Sequence, residues 1–202
     1  NRKMIAIGIS GDGDTGAILL AQVGSNAMLT HVLADQSQDP AWPTAWLDLG
    51  PADGVTGRLS EIEPDGGGGW YLRWPRSTPA VNSVLGHVLG TGAIAPSWAG
   101  GVLLQPGYEA TLVATPTGPF VAGTILLNCS HQNCLAISEV AHRTTQGALP
   151  PGWVVPGGGV PEFGAFPLPD SAWGGIIGMV PDGTGGVLVS WTRPEPLNSP
   201  YG

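Results

Sequence analysis

The chain has 202 residues, of which 42% are hydrophobic and 11% are charged, and its formal net charge is −8. Its single lysine is Lys3, so it lacks the basic stripe with which proteins bind the phosphate backbone of nucleic acids. The same charge disfavours docking on an anionic membrane, and no apolar run has the length of a transmembrane helix. We therefore expect no nucleic-acid partner and no membrane insertion.

The 33 glycines and 20 prolines separate short apolar runs, as turns and loops do, and they predict a folded chain with little helix. Six segments each contain two apolar strands joined by a turn of glycine, asparagine or aspartate. In chain order they are 4–23, 17–34, 58–74, 101–115, 124–141 and 175–191.

Segments 17–34 and 124–141 resemble each other, but this spacing is not repeated evenly along the chain. A propeller with regular blades is therefore not predicted. The hairpins instead favour one all-β domain over residues 1–202, an antiparallel β-sandwich or barrel-like fold with long loops rich in glycine and proline.

The sequence offers no coherent catalytic set, so we predict no enzyme, no cofactor and no metal site. Asp12 and Asp14 in "DGDTG" resemble the start of a calcium loop, but the later ligands are missing, and a hairpin turn is the preferred interpretation. The four histidines lack the spacing of metal ligands and are predicted to serve packing or the surface. They are His31, His87, His131 and His142.

Two cysteines flank a turn in "NCSHQNC". Cys129 and Cys134 would face each other across a hairpin, which permits a disulfide if they form a non-hydrogen-bonded pair. A disulfide and two free thiols are both consistent with the sequence.

The segment "WYLRW" alternates between two faces of a strand. Trp70, Leu72 and Trp74 share one face, which we predict to be core, and Tyr71 and Arg73 share the other. An aromatic ring beside a cation is typical of interfaces and sugar sites. We therefore expect Tyr71 and Arg73 to form an exposed or dimer-facing patch.

Two motifs resemble the C-terminal part of the astrovirus capsid spike domain: "GALPPGWVV" (147–155) and, further on, "PLPDS" (167–171). Val155 replaces a tryptophan of the mammalian members and the first 120 residues show no family motif, so the resemblance implies a distant, avian branch. Receptor pockets of mammalian spikes are therefore not transferred. The matched residues are expected to be structural: Pro150, Pro151, Gly152, Trp153, Pro167, Leu168 and Pro169.

The resemblance implies a spike excised from a larger capsid protein, made in the host cytoplasm and displayed as a homodimer on the virion surface. Its expected partners are a host-cell receptor, glycan or protein, and neutralising antibodies. The alternative is a carbohydrate-binding lectin of propeller or barrel type, which regular blade spacing would support. A β-rich hydrolase is the third hypothesis, and it lacks catalytic residues.

Overall fold

The computed structural model confirms the all-β prediction. In the part of the chain that it describes, the strands pair antiparallel and the one helical element is a 3-10 turn at Pro96–Trp98. No helix in this part is long and apolar enough to cross a membrane. The described residues are 4–12, 16–52, 61–78, 81–104, 110–130, 133–151, 153, 165–167 and 176–191.

The first two sheets are four-stranded meanders, in which each strand pairs with the next strand along the chain. The first sheet contains β1 (Met4–Gly11), β2 (Ala17–Val23), β3 (Asn26–Val32) and β4 (Leu47–Pro51). The second sheet contains β5 (Glu61–Pro64), β6 (Trp70–Thr78), β7 (Val81–Val88) and β8 (Val102–Leu104).

The third sheet repeats this meander and the described part of the fourth contains its first hairpin. The predicted segments 17–34 and 124–141 correspond to the second and third strands of the first and third sheets, which explains their likeness. The third sheet contains β9 (Ala110–Thr115), β10 (Gly118–Ser130), β11 (Asn133–His142) and β12 (Ala165–Pro167), and the fourth contains β13 (Ile176–Pro181) and β14 (Val187–Trp191).

Successive sheets lie side by side: β1 contacts β5, β5 contacts β9, and β9 contacts β13. The packed antiparallel sheets agree with the predicted all-β fold, and consecutive meanders with neighbouring first strands have the arrangement of propeller blades. Every described strand pairs within its own meander, so none of the described strands crosses between sheets.

Each sheet has two distinct faces. We call the face with Ile18 in β2, Tyr71 in β6, Phe120 in β10 and Leu188 in β14 the front face, and the opposite one the back face. Three hydrophobic cores each join the front face of one sheet to the back face of the next. They contain Ile18, Leu20, Leu29 and Trp42 against Ile62, Trp70 and Leu72; Tyr71, Leu85 and Trp98 against Leu112 and Val121; and Phe120, Ala122 and Val140 against Met179.

A loop of constant geometry follows the third strand of each complete sheet. Its sequence is His-x8-Pro-x-Trp, which recurs from His31 to Trp42, from His87 to Trp98 and from His142 to Trp153. In all three copies the tryptophan amide donates to the carbonyl three residues earlier, at 2.8–3.2 Å. A residue with positive φ occupies the same position in each copy: Gln36 (68°), Gly92 (73°) and Gly147 (75°).

This left-handed position receives the tryptophan of the preceding sheet. Trp42 lies against Gly92, where a Cβ atom would be 2.6 Å from Cδ2 of the indole. Trp98 lies against Gly147, where the corresponding distance is 3.3 Å, and its Nε1 donates to the carbonyl of Thr145 at 2.9 Å. Each indole ring therefore joins two successive sheets through a close approach to main chain.

Replacing Gly92 by alanine tests this contact. Left-handed alanine costs about 1–2 kcal/mol, and overpacking against Trp42 adds about 1–3 kcal/mol. Gly24→Ala is the matched control, because Gly24 has a similar φ of 65° and nothing within 4 Å of a Cβ atom. We expect denaturant unfolding to show a clearly larger loss for Gly92→Ala; equal losses would contradict the indole contact.

Candidate ligand cleft

Each complete sheet places a histidine at the end of its third strand, on the front face. His31 pairs across the strands with Ile18, His87 with Tyr71, and His142 with Phe120. The two aromatic partners stack on their histidines, with ring centroids 4.4 Å apart for Tyr71 and 3.8 Å for Phe120. These three histidines thus occupy equivalent buried positions, in agreement with the predicted packing role.

In the first two sheets, the first turn supplies a carboxylate to this histidine. Asp12 Oδ2 lies 2.9 Å from His31 Nε2, and Asp39 bonds the other ring nitrogen at 2.8 Å. Asp65 Oδ2 lies 2.7 Å from His87 Nε2. Burial alone would raise the pKa of Asp65, but hydrogen bonds from His87 and two backbone amides bring it below its usual value. The preferred interpretation of Asp12 as a turn residue is confirmed, and Asp14 lies outside the described residues.

The third sheet has a threonine in this place. Thr117 Oγ1 lies 3.4 Å from His142 Nε2 and donates its proton to the carbonyl of Gly185. Burial lowers the pKa of His142, a hydrogen bond with the backbone of Thr117 opposes this, and nearby Arg143 lowers the pKa further. The buried position of His142 therefore favours the neutral form of its ring.

The rings of the recurring histidine and of the loop tryptophan face the next sheet. The residue of that sheet that meets them differs from one contact between sheets, or junction, to another. At the first junction Trp70 fills the space, with its ring centroid 5.7 Å from that of His31 and 6.3 Å from that of Trp42. Val187 has the equivalent place at the third junction, since it also follows the first turn of its sheet. Because valine is much smaller than tryptophan, an open space is left beside Trp153.

This space is a cleft of about 640 Å³ between the third and fourth sheets. Its floor is aromatic: Trp153 is half-buried and meets His142 edge-on at 5.3 Å and Phe120 at 5.8 Å. The turn of the fourth sheet forms the opposite rim, where the carbonyl of Gly185 accepts hydrogen bonds from both Thr115 and Thr117.

Polar groups line the rim of the cleft. Asp182 is exposed, and the backbone and side chain of Thr184 donate to it and lower its pKa, so that it stays ionised. Thr117, Thr144 and Thr184 also line the space. The arrangement combines an apolar ring surface with an acceptor and hydroxyls, which suits binding of a small amphipathic group.

The structure corrects the predicted surface patch. Trp70, Leu72 and Trp74 share the back face of β6, as the alternation predicted. Tyr71 and Arg73, however, are 1% and 5% exposed, because the third sheet covers the front face of the second. Arg73 Nε bonds Glu61 at 2.9 Å within the sheet. These residues are therefore not an exposed patch.

Other predicted site residues are described in part. Pro150 and Trp153 line the cleft, Pro151 lies in the same loop and Pro167 ends β12, whereas Gly152, Leu168, Pro169 and His131 lie outside the described residues. Cys129 and Cys134 lie on the paired strands β10 and β11, and their redox state stays a prediction. In the described part of the chain no group of three or more histidine, cysteine or acidic side chains is placed to hold a metal.

The cleft was not predicted from the sequence, because the repeat that frames it was not recognised. The signal that identifies it is the threefold His-x8-Pro-x-Trp motif, together with "DG" turns at Asp12, Asp65 and Asp182. Aligned on these turns, Ala17, Trp70 and Val187 fall at one position, and the change in side-chain size becomes visible.

No family model matches the chain, and neither the curated proteins nor the solved structures include a significant match. The capsid-spike resemblance therefore stays a prediction. Its main motif, "GALPPGWVV", overlaps the third copy of the repeated loop: the shared residues run from Gly147 to Trp153.

The lowered pKa of His142 predicts a pH dependence of stability. The unfolded chain binds a proton near pH 6.5, but the folded chain resists it, so stability is lost as the pH falls through this range. We expect urea unfolding from about pH 7.5 to about pH 5 to show a smaller loss for His142→Gln than for the wild type. An unchanged pH dependence in the variant would contradict the burial of a neutral ring.

Proposed function

We propose that this protein is a non-enzymatic attachment module that binds a neutral glycan in the cleft between its third and fourth sheets. The observation that carries the proposal is the half-buried indole of Trp153 beside an open space, where Trp70 closes the equivalent space at the first junction. Function lies in sites built on a fold, and a repeat position that is open in one copy gives room for such a site.

The chemistry of the cleft supports a sugar ring as the ligand. A pyranose offers an apolar C–H face to an aromatic ring, and its hydroxyls donate to acceptors at the rim. Trp153 provides the ring surface, and Asp182 with the threonine hydroxyls provides the polar contacts. Because Asp182 is ionised and the described residues that line the cleft include no lysine or arginine, a sialylated or sulfated sugar would be repelled.

The arrangement gives little support to a hydrolytic function. The Thr117 hydroxyl, whose Oγ1 lies 3.4 Å from His142 Nε2, already donates to the carbonyl of Gly185. A nucleophile needs a free hydroxyl whose proton passes to a base that a third group orients. We therefore prefer binding to catalysis at this cleft.

The capsid-spike resemblance adds a setting to this proposal. A spike that binds single sugars weakly still attaches a particle firmly, because many copies on one surface act together. In that setting the host-cell receptor is a neutral glycan, and antibodies against the exposed loops would block attachment. The purified domain should then compete with whole virus for susceptible cells.

The decisive experiment is an array of neutral and sialylated glycans, followed by titration of the strongest neutral glycan. Trp153→Ala should weaken binding by tenfold or more, as for an aromatic anchor. Val187→Trp should block binding by placing an indole where Trp70 stands at the first junction, and it should leave the domain folded.

Two variants serve as controls. Trp46→Ala removes another partly buried tryptophan outside the cleft, and Val187→Ala keeps the cleft open, so both should retain binding. The proposal is wrong if no neutral glycan binds, or if Val187→Trp binds as well as the wild type.

A further inference from the structure

The back face of the first sheet is open, although the same positions are buried in the other sheets. In the first sheet, Ile9 of the first strand pairs with Leu19 of the second strand. The equivalent pairs are Ile62 with Leu72 in the second sheet and Met179 with Val189 in the fourth. Ile62 and Met179 are 7% and 6% exposed, whereas Ile9 is 73% exposed. Met4, which a bulge in β1 brings to the same face as Ile9, is 57% exposed.

The front face of the fourth sheet is open in the same way. Leu188 occupies the position of Ile18, Tyr71 and Phe120, which are at most 4% exposed, yet it is 64% exposed. Its cross-strand partner Val180 is 56% exposed. Isolated apolar side chains are common on surfaces, but Ile9 and Leu188 occupy positions that the other sheets bury.

We propose that these two faces bind each other between two copies of the chain, the front of the fourth sheet of one copy packing on the back of the first sheet of the other. The three junctions within the chain all join a front face to the back face of the next sheet. The two open faces are one of each kind, so a second copy supplies the missing partner. This goes beyond glycan binding, because the surface lies outside the cleft.

The loop of the first sheet agrees with such a contact. Gly92 and Gly147 admit an indole ring from the preceding sheet, but their counterpart is Gln36, whose side chain would obstruct a ring at this position. Among the described residues the fourth sheet contributes only the hairpin of β13 and β14, which does not include a copy of the repeated loop and so brings no loop indole to Gln36. The contact would therefore rest on the apolar strand faces.

A head-to-tail contact makes a distinctive prediction for mixing experiments. Ile9→Asp destroys the back face but keeps the front face, and Leu188→Asp does the reverse. In sedimentation velocity, the wild type should form dimers or longer assemblies and each variant alone should be monomeric. An equimolar mixture of the two variants should form a one-to-one complex, since one intact face of each kind remains.

Both positions are exposed, so circular dichroism and the melting temperature should match the wild type. A wild type that is monomeric at every concentration would overturn the proposal. So would an assembly that only Ile9→Asp disrupts, because this is the behaviour of a contact between two identical faces. Failure of the two variants to complement each other would also overturn it.

Discussion

The close approach of an indole ring to left-handed main chain is the contact on which the arrangement of the sheets depends. At Gly92 and Gly147 the ring lies where a side chain would otherwise begin, so glycine is required by contact as well as by φ. The loop that carries the ring is itself fixed by three backbone hydrogen bonds that recur in each copy. A rigid loop meeting a glycine leaves successive sheets little freedom to shift, and the three hydrophobic cores form between them.

This constraint separates what is constant at the junctions from what varies. The histidine, the loop and the tryptophan recur, while the residue facing them from the next sheet changes from Trp70 to Val187. The turn residue changes as well, from a carboxylate at Asp12 and Asp65 to Thr117. At the third junction, the side chain facing the tryptophan is therefore smaller, and the carboxylate beside the histidine is replaced by a hydroxyl. The aromatic floor of the cleft is left uncovered by either group.

Local features of the fold could be predicted from the sequence, and relations between distant segments could not. Turn residues and alternation predicted the hairpins and the two faces of "WYLRW", because both depend on neighbours in the chain. Alternation shows which side chains share a face, but it does not show whether that face meets solvent. Tyr71 and Arg73 were therefore misplaced: an interior sheet buries both faces. The repeat escaped notice because loops of unequal length separate its copies.

The repeat also changes how the Pro-Pro-Gly-Trp segment should be understood. Proline with tryptophan two residues later occurs at all three loops, so the segment serves first to present an indole ring to the next sheet. A likeness in this segment to another protein therefore reports a shared way of turning the chain, which unrelated functions can use. At this position of the loop, Trp42 is buried between two sheets, whereas Trp153 is a candidate binding surface. The residue that decides between these roles is Val187, which lies outside the motif.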